Sequence, residues 1–85
     1  MIAKDLIKHQ SEVVRTSVKL LLLNQIIFSR THVEVEHDKI DTTISFRLQG
    51  KVKRSSLFVL FNYPVKDFFF SPEIGGLGYV LTITL

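Results

Sequence analysis

Eighty-five residues with a formal charge of +3 and a pI near 9.5 suffice for one domain, 1–85, and no more. Hydrophobic residues at 46% against charged residues at 22% exclude a disordered tail. The absence of cysteine excludes a disulfide framework, Cys-ligated zinc and a thiol nucleophile. No apolar run reaches the roughly eighteen residues that a membrane span needs.

Lys8, His9, Gln10 and Glu12 interrupt the early apolar runs, unlike the unbroken apolar stretch of an export signal. With Met1 at its start, the chain is expected to be a complete small protein of the cytoplasm.

Residues 2 to 23 read as one long amphipathic helix. At 100° per residue, Ile2, Ala3, Leu6, Ile7, Val13, Val14, Leu20 and Leu21 share one half of the wheel with Gln10 and Ser17. Lys4, Asp5, Lys8, His9, Glu12, Arg15 and Lys19 share the other. No Gly or Pro interrupts the run, so the helix is expected to continue to about Phe28, apolar all round in its last turns; the alternative is a stop near Asn24, with residues 25 to 28 turning into the sheet.

After Thr31 the period becomes two. Val33 and Val35 alternate with His32, Glu34 and Glu36, and a turn is expected at His37–Lys39. Ile40, Thr42, Ile44, Phe46 and Leu48 then alternate with polar residues, as in a half-buried antiparallel strand. A third strand is expected from about Val52 to Tyr63, ended by Pro64. Residues 64 to 78 read as a loop holding Phe68, Phe69 and Phe70. A last strand runs to Leu85, with Tyr79, Leu81, Ile83 and Leu85 on one side. The expected fold is a two-layer α+β domain of order α-β-β-β-β, its long helix packed on a four-stranded antiparallel meander.

The apolar content exceeds what a small monomer can bury. The helix end, the Leu57–Phe61 strand and the Phe triplet all point to self-association, a dimer above all. Leu22, Leu23, Ile26, Phe58 and Leu60 are the expected oligomer contacts.

Catalytic chemistry has little to stand on. No serine lies in a nucleophile-elbow setting. Gly75-Gly76-Leu77-Gly78 precedes a strand, whereas phosphate-binding glycine loops precede a helix. His32, Glu34 and Glu36 share a strand face, but without a second His they read as an exposed edge rather than a metal site. His9 is expected on the polar helix face beside Asp5. No enzyme activity, metal or cofactor is expected.

Charge is unevenly placed. Residues 1–43 are neutral overall, and residues 44–66 hold five bases and no acid. Arg47, Lys51, Lys53 and Arg54 cluster about Gly50, where a basic β-hairpin can follow a phosphate backbone. The favoured expectation is a non-enzymatic oligomer acting through protein–protein contacts, as adaptor, structural subunit or inhibitor. The alternative is a nucleic-acid-binding protein using that hairpin.

Overall fold

The structure, a computed structural model, describes residues 1–49, 65–72 and 78–85. A 3-10 helix, Ala3–Lys8, leads into helix α1, Glu12–Leu23. Strands β1 (Val33–His37), β2 (Thr42–Gln49), β3 (Asp67–Pro72) and β4 (Gly78–Thr84) follow. They form one antiparallel sheet in the order β1-β2-β4-β3. Ala3, Leu6, Val14, Val18 and Leu21 of the helical layer share one core with Val33, Ile44, Phe46, Leu81 and Ile83 of the sheet. The α+β class read from the sequence is therefore the observed one.

The single long helix is not. It breaks at His9–Ser11 without Gly or Pro, because polar side chains there satisfy the backbone that the break exposes. His9 is extended, at φ −62° and ψ 147°, and its Nδ1 accepts from the Ser11 N–H at 3.0 Å. Ser11 is the N-cap of α1, its Oγ accepting from the Val14 N–H at 3.4 Å. Arg15 Nη1 reaches back to the His9 and Gln10 carbonyls at 2.6 and 2.9 Å. The first segment winds at about three residues per turn, which stacks Ala3 and Leu6 on one buried face.

The helix also stops at Leu23, well short of Phe28. Gln25 adopts the left-handed φ of 58°. Its N–H donates to the Leu22 carbonyl, and the Ile26 N–H donates to the Leu21 carbonyl. These are the two closing bonds of a left-handed helix stop, a position that glycine usually fills. The reversal carries Ile26 and Ile27 into the core, at 3% and 0% exposure.

In the sheet, β1 and β2 form a hairpin with Val35 opposite Ile44, and β3 and β4 form another with Phe70 opposite Leu81. The hairpins join side by side through β2 and β4, with Phe46 opposite Leu81, so the sheet is not a simple meander. The two most buried strands take the centre: Ile44, Phe46 and Leu48 are buried on β2, Leu81 and Ile83 on β4. Glu34 and Glu36 lie on edge strand β1. Ile40 belongs to the β1–β2 turn and is 83% exposed, rather than opening β2.

The Phe triplet lies in a strand and not in a loop. Pairing with β4 supplies the backbone partners, and alternation turns Phe68 and Phe70 onto the core while Phe69 faces out. Phe70 stacks on Tyr79 at 4.9 Å between ring centroids. The strand expected over Val52–Tyr63 lies outside the described residues.

Ser17 is the one polar side chain fully buried among the described residues, and its Oγ has no hydrogen-bond partner. An unpaired buried hydroxyl costs free energy. Ser17→Ala is therefore expected to stabilise the fold by about 1 kcal/mol in urea unfolding. A loss of stability would show that the hydroxyl is satisfied in solution.

Candidate interaction surface

The chain reverses between layers, which sorts the surface into two ends. The 3-10 helix begins beside the start of β1: the Ala3 N–H donates to the Thr31 carbonyl, and Ile2 bridges His32. It finishes beside the end of β1, where His9 stacks on His37 with centroids 5.8 Å apart. Helix α1 then runs back, and residues 24–32 return the chain to β1. Leu23, Phe28, Arg30 and the C-terminal end of β2 thus share one end with Met1. The His9–His37 stack and the Asp38–Asp41 turn share the other, with Asp41 paired to Lys66.

His9 is accordingly not beside Asp5. It is half-buried between the Ser11 N–H and the His37 ring, while Asp5 Oδ2 accepts from the Ile2 N–H at 3.1 Å. The His37 Nδ1 lies 3.2 Å from Thr42 Oγ1. The stack holds the helix junction against the end of β1.

The sheet face turned away from the helices is polar apart from Phe69 and Val80 among the described residues. Register sets Glu36, Thr43, Thr84 and Asp67 in one row, and Glu34, Ser45, Thr82 and Phe69 in the next. Ser45 and Thr82 hydroxyls lie 3.4 Å apart across the central strands. His32 Nε2 sits 3.7 Å from Glu34 Oε1, with both side chains exposed. Among the described residues no group of three or more His, Asp or Glu side chains is placed to hold a metal ion.

Of the expected nucleic-acid contacts, Arg47 is exposed on β2 opposite Val80, its backbone N–H bonded to the His32 carbonyl. Lys51, Lys53 and Arg54 lie outside the described residues. Of the expected oligomer contacts, Leu23 is 81% exposed at the end of α1, and Leu22 is half-buried against the core. Ile26 is a core residue, carried inward by the left-handed turn at Gln25. Phe58 and Leu60 lie outside the described residues.

The structure adds apolar surface that the helical wheel assigned to the interior. Val13 is 41% exposed, and Phe28 is 64% exposed five residues beyond Leu23. The wheel fails at Val13 because the break at His9–Ser11 resets the phase of the second helix. Within α1 itself the buried positions are Val14, Ser17, Val18 and Leu21. Ser11, an N-cap residue type with Glu12 directly after it in the first turn, was the signal in the sequence that could have located this reset.

No helix among the described residues is long and apolar enough to cross a membrane. Comparison with protein-family models, with curated proteins and with solved structures returns no match for this chain.

Proposed function

We propose that this chain is a small non-enzymatic cytoplasmic protein that self-associates and works through protein–protein contacts, as an adaptor, structural subunit or inhibitor. The observation that supports this reading most is the outward placement of Leu23 and Phe28, 81% and 64% exposed at one end of the fold. Two large apolar side chains close in sequence and left in water are characteristic of a surface that a partner covers.

Light scattering is expected to return at least twice 9.8 kDa at micromolar concentration. Leu23→Glu is expected to return a mass nearer the single chain with the same helical circular dichroism, because a carboxylate in the contact must be desolvated. A single-chain mass for the unsubstituted protein at every concentration tested would remove the self-association reading.

A further inference from the structure

Edge strand β1 carries backbone groups that its own sheet does not use. In an antiparallel pair, successive residues turn their N–H and C=O alternately toward and away from the partner strand. The Arg47 N–H donates to the His32 carbonyl at 3.0 Å, which sets the phase. Glu34 and Glu36 therefore bond to β2, while Val33, Val35 and His37 turn their backbone groups outward. The start of that outer edge is already taken by an extended segment. The Val33 N–H donates to the Met1 carbonyl at 2.9 Å, and Ile2 bridges His32 in the antiparallel sense. At Ala3 the chain turns off into the 3-10 helix. Among the described residues, the edge from Glu34 to His37 has no neighbouring strand, and nothing bonds the outward groups of Val35 and His37.

The side chains select what fits there. Val33 and Val35 pack on the core side, and alternation puts Glu34 and Glu36 on the outer face, where both are exposed. Glu34 keeps 67% of its side chain in water beside His32. The two outer rows that these glutamates begin hold one further acid, Asp67, and no base. A second copy of β1 does not suit the edge. Pairing about Val35 would set Glu34 of each chain opposite Glu36 of the other, and like charges directly opposite are destabilising. The same two carboxylates favour a strand with Lys or Arg at those positions. The edge thus repels its own kind and attracts a basic segment.

We propose that the β1 edge from Glu34 to His37 takes up an extended basic segment of a partner protein as an added antiparallel strand. An apolar residue of that segment lies opposite Val35 and exchanges both backbone bonds with it, and Lys or Arg residues lie opposite Glu34 and Glu36. This assignment rests on the reading that the protein works through protein–protein contacts and names the class of partner. It does not use the Leu23–Phe28 end of the fold.

The probe is a capped peptide, Thr-Lys-Val-Lys, titrated into the whole isotope-labelled protein at low salt and followed by the amide resonances. Val35 and His37 are expected to shift, with a Kd below about 1 mM. N-methylation of the peptide valine removes the donor that faces Val35 and is expected to weaken binding about tenfold or more. N-methylation of the lysine opposite Glu36 is expected to change it little, because that N–H points away from β1. Glu34→Gln with Glu36→Gln is expected to weaken binding roughly three- to tenfold with the fold unchanged. Equal affinity for the two methylated peptides would mean attraction by charge alone and would overturn the added strand. Light scattering of the unsubstituted protein runs in parallel. A dimer mass with no shift at Val35 or His37 would overturn the β1 edge and leave the protein-contact reading standing. A single-chain mass with no shift would overturn both.

Discussion

Phe46→Ala is expected to lower stability by about 3–5 kcal/mol, the range for truncating a buried aromatic residue. Phe46 is fully buried on β2, opposite Val33 on β1 and Leu81 on β4. It therefore sits where three strands and the helical layer share one core. A chain of this length stands only about 4–13 kcal/mol above its unfolded state. The substitution removes a large part of that margin, since few neighbours can collapse into the space in so small a core. Urea unfolding followed by circular dichroism measures the loss, at matched protein concentration because association adds to apparent stability. A loss below about 1 kcal/mol would show that Phe46 is not at the centre of the core.

The strands around Phe46 are the most legible part of the fold. Alternation in Ile44, Phe46 and Leu48, and again in Leu81 and Ile83, reports directly on which face is buried, because strand side chains have a period of two. The helical half is less legible, because its boundaries depend on polar contacts between residues that ordinarily tolerate a helix. His9, Gln10 and Ser11 break the run through hydrogen bonds to Ser11, Val14 and Arg15, and no residue type there excludes helix by itself. Gln25 occupies a left-handed position without the glycine that would announce it.

The Phe68–Phe70 triplet shows a different limit. Three consecutive aromatic residues have no period of their own. Only pairing with β4 makes them a strand, and that partner lies beyond Pro72 in the chain. Order along the chain likewise does not reveal that β2 lies beside β4, where the pairing buries Ile44 and Phe46 with Ile83 and Leu81. The position of the exposed apolar side chains was not legible. Leu23 and Ile26 read alike in the sequence, yet Leu23 is exposed while Ile26, three residues on, is inside.

That pair gives the sharpest contrast in the chain. Ile26→Glu is expected to unfold the protein, and Leu23→Glu is expected to leave it folded. In a continuing helix the two positions would be neighbours on one face, and a carboxylate at either would act on the same surface. The left-handed turn at Gln25 separates them: Leu23 stays 81% exposed, while Ile26 is 3% exposed and its N–H is tied to the Leu21 carbonyl. A glutamate at position 26 must bury a charge within the apolar core cluster, or pull the helix stop apart to reach water. Either route costs several kcal/mol, comparable with the whole stability of a domain of this size. Circular dichroism and urea unfolding of the two variants separate the cases. Equal stability of the two proteins would mean that α1 runs through Gln25, and would restore Ile26 to the outer surface.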